Sequence, residues 1–511
     1  MLRIFRFTFH VSRFIVSSMN IAFVSSEVVP FSKTGGLADV AGALPPEIAK
    51  LGHKVSIYTP YYRTTKKVDP RAKVIAEGLV PVGSEMTPWT LYLSSASKGD
   101  VKIYFIGCDQ YFDRDGLYGT AQGDYEDSCS RFVLFCRAVI AAAQAVGDPV
   151  DVWHCHDWQT ALLPVYLKIS FKTLPFFKDA ATVFTIHNMA YQGHFWHWDY
   201  PLLNLPWQHY NWKELEFHGK MNLLKGALVH SDLLVTVSPT YAREIQHPDG
   251  GWGLQGVLGD RKDDLTGIVN GIDTQSWNPR IDSLLPTTYS SEKLDGKKSC
   301  KNALRKRFNL PDGPSAIIGM IGRLFEQKGF DLVAHVIDDL LRRDIQLVIL
   351  GTGRVEFHNL LHRVQQANPK KVAVAFAFDN ALAHLIEAGS DMFLMPSRYE
   401  PCGLNQLYSL AYGTPPIVRD VGGLADTITD TNQETLGNGT ATGFKFSDYS
   451  GEAMMGCLDR ALDLYFTRPE DWRRVQKNGM AQDWSWEQSA RKYVQVYERA
   501  LGKVRATKKT E

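Results

Sequence analysis

Four short stretches of this 511-residue chain carry side chains able to do chemistry. In PSRYEPCGLN (Pro396–Asn405), Glu400, Cys402 and Gly403 lie between an apolar run, Met392–Met395, and a helical pattern that closes at Gly413. A carboxylate on such a loop stands where open α/β sheets bind ligands, and the helix start behind it offers free N–H groups to an anion. Position alone leaves a plain surface loop equally open, because strand-to-helix loops are common. KTGGLADV (Lys33–Val40) follows the buried-strand pattern Ile21–Ser25. Gly35 and Gly36 let the backbone approach a ligand, and a helix from near Ala38 aims N–H groups at the same place, the makings of a phosphate or sugar site. VDVWHCHDW (Val150–Trp158) is a strand whose tip presents His154, His156 and Asp157. Two His suggest a metal, but no third ligand has diagnostic spacing, so a parallel strand with a polar tip is expected. The run Thr182–Ile186 ends in His187-Asn188 in the same manner.

The elements that must position these groups follow a repeated strand-then-helix grammar. Strands are expected at Val55–Thr59, Leu91–Leu93, Val101–Ile106 and Leu233–Val237, with an amphipathic helix over Arg131–Val146. TGIVNGID (Thr266–Asp273) is a strand ending in an Asn-Gly turn, and a loop rich in Pro, Ser and Asp then runs to about Pro286, marking a domain boundary. The second half repeats the pattern with strands at Ala316–Leu324, Gln346–Gly353, VAVAFAF, Met392–Met395 and Pro415–Asp420, and a helix over Phe330–Arg343. GGLAD occurs twice, at Gly35–Asp39 and Gly422–Asp426, both at a loop-to-helix junction, which predicts similar turns in two doubly wound domains. Trp486–Leu501 is a terminal helix, and the tail KVRATKKTE is expected to be disordered.

Composition narrows the classes. The chain is too long for one core, and 44% hydrophobic with 22% charged residues is ordinary for a globular protein. A net charge of +1 gives no electrostatic footprint for nucleic acid. Twelve Trp and 21 Tyr supply flat faces that a carbohydrate could use, although packing accounts for them equally well. Seven scattered cysteines suit free thiols in a reducing compartment. No run of about 18 apolar residues is apparent, so no transmembrane helix is expected. Residues 1–18 carry three Arg and no acid before a second Met at position 19. They are expected to be a disordered or spurious extension, although a transit-like segment would look similar.

The motifs KTGGLADV, HCHDW, FTIHNMAYQG, VSPTYAREI, VNGID, GRLFEQKG, MPSRYEPCGLNQLY and GGLADT together resemble the glycogen and starch synthases, from about residue 21 to 486. The resemblance implies a GT-B fold, an α/β architecture of two Rossmann-like doubly wound domains facing across a cleft. Residues 19–267 would form the acceptor-side domain and 268–485 the nucleotide-sugar side, with 486–511 a helix returning to the first domain and a tail. It also implies transfer of glucose from ADP-glucose to the non-reducing end of an α-1,4-glucan (glycogen or starch), with the α configuration retained. No cofactor or metal would be needed, no nucleic acid or membrane would be a partner, and the location would be cytoplasmic, or plastid in a photosynthetic eukaryote.

Carried over by position, Lys33 matches the donor-contacting lysine, with Gly35 and Gly36 at the diphosphate. Asp39, Asp157, His187 and Asn188 match residues of the first-domain wall near the glucosyl group, Asp157 and His187 among the catalytic set. Arg323 and Lys328 match the basic pair at the donor phosphates. Glu400 matches the acidic loop residue required for activity, with Cys402, Gly403 and Leu404 beside it in the binding loop, and Asn270 lies at the hinge. Ala377 and Phe378 depart from some bacterial members near the nucleotide base, which leaves base preference open, and residues 287–300 give no usable match. The chemistry agrees: a departing diphosphate gains negative charge that Arg323 and Lys328 can stabilise. No residue stands out as a nucleophile, which favours same-face substitution within an ion pair over the paired-carboxylate route of retaining hydrolases. A phosphorylase-like enzyme would need a pyridoxal lysine and a longer chain. A silent glucan-binding scaffold would show broken motifs, and a dinucleotide dehydrogenase would show GxGxxG.

Overall fold

The computed structural model describes residues 18–120 and 122–510, so nearly all of the expected extension, residues 1–18, lies outside the described residues. A nine-stranded sheet forms the first domain. Its spatial order is Leu265–Gly267, Leu233–Thr236, Ala181–Ile186, Val152–His156, Asn20–Val24, Lys54–Pro60, Val101–Gly107, Glu85–Leu93 and Lys73–Val82. Asn20–Val24 runs parallel to both neighbours, Lys54–Pro60 on one side and Val152–His156 on the other. Connections leave it in opposite directions, and a crevice opens at its carboxyl end. The second sheet has six parallel strands, in the order Val372–Ala375, Ile345–Leu350, Ala316–Ile321, Met392–Met395, Pro416–Arg419 and Phe444–Phe446. There Ala316–Ile321 is the strand from which the order departs both ways.

The apolar runs behave as parallel strands covered on both faces. Val152–His156, Ala181–Ile186, Ile345–Leu350 and Met392–Met395 are each buried end to end. The sequence expectation missed the antiparallel hairpin Lys73–Val82/Glu85–Leu93, of which it found only Leu91–Leu93. That hairpin is an edge, with Pro81 and Pro88 in its strands and with Val74, Ile75, Leu79 and Met86 exposed, so apolar side chains do not mark one face and its pattern is weak. The helix Ser128–Val146 covers the expected Arg131–Val146 helix and begins three residues earlier. It is long and apolar enough to cross a bilayer by length and composition. It instead runs through the first domain's core, where fully buried Arg131 donates to the Tyr111 and Leu117 carbonyls.

The chain crosses between domains twice, and the crossings run side by side: the Ile272 N–H donates to the Trp484 carbonyl at 2.8 Å. A Cβ on Gly271 would come within 2.6 Å of the Trp486 backbone, so only glycine allows this approach. The helix Trp486–Thr510 then lies back on the first sheet, with Trp486, Ala490, Tyr493, Tyr497 and Leu501 packed against Ile21, Phe23, Val183 and Val235. The expected disordered tail is helical to Thr510. Its cations are held on the first domain, Lys503 by Asp264 at 2.7 Å and Lys508 by Asp179.

At the centre of this packing the Tyr497 hydroxyl meets His154 Nδ1 at 2.9 Å, while His154 Nε2 meets the Thr185 hydroxyl at 2.7 Å. Tyr497→Phe leaves a ring nitrogen buried without its partner and is expected to cost about 1–3 kcal/mol. Tyr497→Ala adds a cavity and should cost about 3–5 kcal/mol. Urea unfolding measures both, and a Phe variant as stable as the parent would show that the contact stabilises nothing.

Candidate active site

The loops at the two switch points face each other. From the first domain, the loop after Asn20–Val24 is held by buried Glu27. Its carboxylate accepts from the Thr34 N–H (2.5 Å), the Thr34 hydroxyl (2.6 Å), the Gly35 N–H (3.2 Å) and the Tyr118 hydroxyl (2.7 Å). Gly35 caps the helix Gly36–Lys50 in an extended conformation, and a Cβ on it would meet nothing within 4 Å. Lys33 pairs with Asp39 at 2.7 Å at the surface of this loop. Across the gap stands Leu404, whose Cδ1 would lie 3.8 Å from a Cβ on Gly36. The glycine pair therefore faces the second domain directly.

From the second domain, Gly322–Gly329 follows the central strand Ala316–Ile321 and carries both expected cations. Arg323 donates to the Gln327 side chain at 3.2 Å and holds its guanidinium 5.5 Å from the Phe325 ring centre, with no carboxylate paired to it among the described residues. Lys328 Nζ sits 2.5 Å from Glu400 Oε2, which also accepts from the Ser397 hydroxyl at 3.0 Å. Glu400 is therefore not the freely solvated loop acid that its sequence position suggests: it is 5% exposed. The second GGLAD copy explains how its loop is seated. Gly423 donates its N–H to the Glu400 carbonyl at 3.0 Å, and Cβ atoms on Gly422 and Gly423 would overlap the Glu400 and Cys402 carbonyls at 1.9 and 2.1 Å. The two copies are not the same turn, contrary to expectation. Gly422 takes φ +45° as the first helical residue, whereas Gly35 is extended at φ −152°. Cys402 is buried, its thiol pushed up to about 12 by desolvation while the Asn270 N–H opposes the shift. Asn270 itself lies at the crossing, with its Oδ1 buried and no hydrogen-bond partner among the described residues. Gly403 takes φ +75°, the left-handed turn that starts the helix Asn405–Ala411.

Asp157 holds the tip of the first wall. Its backbone sits at φ +55°, ψ 178°, a region that residues other than glycine occupy only under constraint. Its carboxylate accepts the N–H groups of His187 (2.7 Å) and Asn188. Burial pushes that carboxyl up to about 7, with those two N–H groups opposing. His187 is pushed down to about 3 by burial, so its ring is neutral, and its Nε2 lies 2.9 Å from His156 Nδ1. His154 and His156 do not converge on a metal: their rings lie 4.0 Å apart, tilted by 45°, and both ring nitrogens of His154 are occupied by Tyr497 and Thr185.

The structure thus brings Gly36 and Leu404 together, joins Glu400 to Lys328 and Asp157 to His187 and Asn188, and leaves Lys33 with Asp39 at the rim. Sequence reasoning missed Glu27 and the aromatic groups of the cleft mouth. Tyr399 is hydrogen-bonded to Asn188 across the gap, and a cavity of about 340 Å³ is lined by Tyr191 of one domain and Arg323, Phe325, Arg398 and Tyr399 of the other. It also missed three bonds that hold the walls together: Gly422 N–H to Glu244 at 2.9 Å, and Thr240 N–H and hydroxyl to Asp426 at 2.8 and 2.6 Å. Only Glu27 had a nearby signal, an acid six residues ahead of the lysine-glycine motif.

Comparison with known proteins gives a consistent picture. Residues 20–260 match the family described as starch synthase catalytic domain, and residues 301–479 match glycosyl transferases group 1. The chain is 49% identical over 482 residues to a glycogen synthase of Koribacter versatilis, spanning 94% of this chain and 98% of that one. It is 47% identical over 481 residues to one of Anaeromyxobacter, spanning 94% and 99%. Among solved structures, the catalytic domain of starch synthase IV from Arabidopsis thaliana bound to ADP and acarbose superposes with a TM-score of 0.86 at 31% identity, over 95% of this chain and 100% of that one. Sucrose-phosphate synthase from Thermosynechococcus elongatus shares the fold, at a TM-score of 0.58 and 18% identity over 95% and 99%. The two-domain architecture is GT-B.

The Asp157 carboxyl makes stability pH-dependent in a specified direction. Its folded value near 7 lies above the unfolded value near 3.9, so its contribution is fully present below pH 3.9 and is lost as the pH rises through about 7. Asp157→Asn should flatten this dependence, which for one proton is at most about 1.4 kcal/mol per pH unit. Urea unfolding from pH 4.5 to 8 checks it; parallel curves for variant and parent would exclude Asp157 as the source.

Proposed function

The chain belongs to the glycogen and starch synthase family and is a hexosyltransferase of that kind; from this premise we propose that its donor is ADP-glucose and that glucose passes to the non-reducing end of an α-1,4-glucan with retention. The observation that carries the reading is the meeting of the two switch-point loops, Gly35–Gly36 on one side and Arg323, Lys328 and Glu400 on the other. A nucleoside diphosphate between them would lie against glycine backbone and two cations. The solved starch synthase domain that this chain resembles holds ADP, which supports adenine over uracil. Phe378, 88% exposed beyond the strand Val372–Ala375, offers a ring but no hydroxyl to a base.

In this reading Arg323 and Lys328 stabilise the charge that grows on the leaving diphosphate, already oriented before reaction begins. No metal or other cofactor is assigned to this step. Glu400 holds Lys328 at 2.5 Å and adds negative potential near the electron-poor anomeric carbon. Asp157 fixes the His187–Asn188 backbone, so that the His187 carbonyl and neutral ring meet the sugar in one orientation. With no nucleophile built opposite the leaving group, the acceptor hydroxyl attacks from the face that the diphosphate leaves. Lys33 and Asp39 at the rim, with Asn270, Cys402, Gly403 and Leu404 beneath the loop, shape the donor pocket. Seven free and buried thiols accord with work in a reducing cytoplasm.

Glu400→Gln separates these roles. Losing one preorganised electrostatic contact is expected to lower kcat by about 100- to 1,000-fold. Because Lys328 then keeps its charge without its partner in a partly buried place, stability should fall by about 1–3 kcal/mol, more than a solvated loop position would lose. Steady-state kinetics beside a thermal melt read both, and a rise in KM at constant kcat would make Glu400 a binding group only.

The donor is identified by incubating the protein with glycogen and either ADP-glucose or UDP-glucose, measuring which nucleotide is released and whether the added glucose is α-linked. ADP at 100 times its Kd should raise stability by about 2.7 kcal/mol. Release of UDP alone, or a melt indifferent to millimolar ADP, would overturn the donor assignment.

A further inference from the structure

One side chain of the Glu400 loop reaches out of its own domain. Tyr399 stands between Arg398 and Glu400, whose backbones are pinned within the second domain. The Arg398 N–H donates to the Gln327 carbonyl at 2.9 Å, the Arg398 carbonyl accepts from Arg419 at 2.5 Å, and the Glu400 carbonyl accepts the Gly423 N–H at 3.0 Å. From that frame the half-buried Tyr399 ring extends to the first domain. There it meets the Trp252 indole edge-on, with centroids 6.0 Å apart and planes at 69°. It lines the same cavity as Tyr191 of the opposite wall.

The Tyr399 hydroxyl is hydrogen-bonded to Asn188. The Asn188 amide has two ends to satisfy, and its own turn takes one: Oδ1 accepts the Ala190 N–H at 3.0 Å. Nδ2 is left to donate to the tyrosine oxygen, so the bond runs from the first domain to the second. Other holds on this turn come from within the first domain. Asp157 accepts the His187 and Asn188 N–H groups, and the Tyr241 hydroxyl accepts the Met189 N–H at 3.0 Å. Burial raises the Tyr399 hydroxyl above the usual phenol range, with Asn188 and Arg323 pulling against the shift, so the group stays neutral at physiological pH.

We propose that Tyr399 is a positioning residue for glucosyl transfer: it orients the Asn188 amide from across the cleft, and so sets the sugar-facing turn of one wall against the phosphate-facing loop of the other. This inference rests on the reading above, in which His187–Asn188 faces the sugar while Glu400 and Lys328 serve the leaving diphosphate. Glu400 is the next residue along the chain, its Cα about 3.8 Å from that of Tyr399. The two walls are therefore brought into register beside the very residue that holds Lys328. One neutral hydrogen bond is a modest contact, but a small displacement of reacting atoms carries a large rate penalty.

Tyr399→Phe keeps the ring on Trp252 and removes the hydroxyl alone. With saturating glycogen and ADP-glucose its kcat should fall about three- to tenfold, the scale of one hydrogen bond. Its KM for ADP-glucose should stay within about twofold of the parent value, with the melting temperature unchanged. Asn188→Ala should lower kcat by itself, and adding Tyr399→Phe to it should change kcat by less than about twofold, because the partner is already gone. Losses that multiply would show that Tyr399 acts through another group and overturn the inference. A raised donor KM at constant kcat overturns it by making Tyr399 a donor contact, and a lowered melting temperature by making the hydroxyl a prop of the fold. Parent-like kinetics of Tyr399→Phe overturn it and leave the reading above intact. A parent that transfers no glucose from either nucleotide sugar refutes that reading, and the positioning role with it.

Discussion

The Ile272 N–H bond to the Trp484 carbonyl joins the only two places where the described chain passes between domains, and the geometry of the cleft follows from it. Two covalent links that run side by side act as one hinge and not as two independent tethers. Ser489 reinforces them through a 2.7 Å bond to the Val269 carbonyl, and Gly271 permits the close approach. With that axis fixed, the carboxyl ends of both sheets face one another, and the Glu244–Gly422 and Thr240–Asp426 bonds set how near they come. Those bonds are few and polar, the composition expected of an interface that separates without exposing a core.

Within the cleft, charges are held by partners and not by solvent. Glu27 organises the glycine turn, Glu400 organises Lys328, and Asp157 organises the His187 backbone. Each carboxylate acts on a group that faces the gap while itself lying half-buried or buried. The strained backbone of Asp157 fits this division of labour, because a conformation costing of order 1–3 kcal/mol persists only where the surroundings hold it. Desolvation inside such a site also strengthens whatever electrostatic contact a ligand makes there.

How much of this could be read in the sequence depends on the range of the interaction. Glycines ahead of a helix and apolar runs ending in polar tips are local signals, so the two switch-point loops, both wound domains and the return helix were legible. The burial of Glu400 was not, since Lys328 stands 72 positions away and is brought beside it only by neighbouring parallel strands. The same holds for Glu244 and Asp426, which read as ordinary helix-surface acids until the domains face each other. The edge hairpin was hidden by its prolines and by apolar side chains on its exposed positions, and the helical tail by its lysines, which look solvated until Asp264 and Asp179 are placed next to them. The GGLAD repeat misled because five identical residues do not determine φ when glycine leads.

The return helix has a consequence for how the protein is made. The apolar face formed by Ile21, Phe23, Val183 and Val235 belongs to the part of the chain that leaves the ribosome first, while the residues that cover it leave last. At the usual pace of synthesis, the interval needed to translate the second domain is roughly 10–50 s. Throughout that interval the first domain stands complete in its sheet but uncovered on one side, a natural client for a chaperone, and a message truncated near its end yields a chain whose earliest-made half never finishes folding.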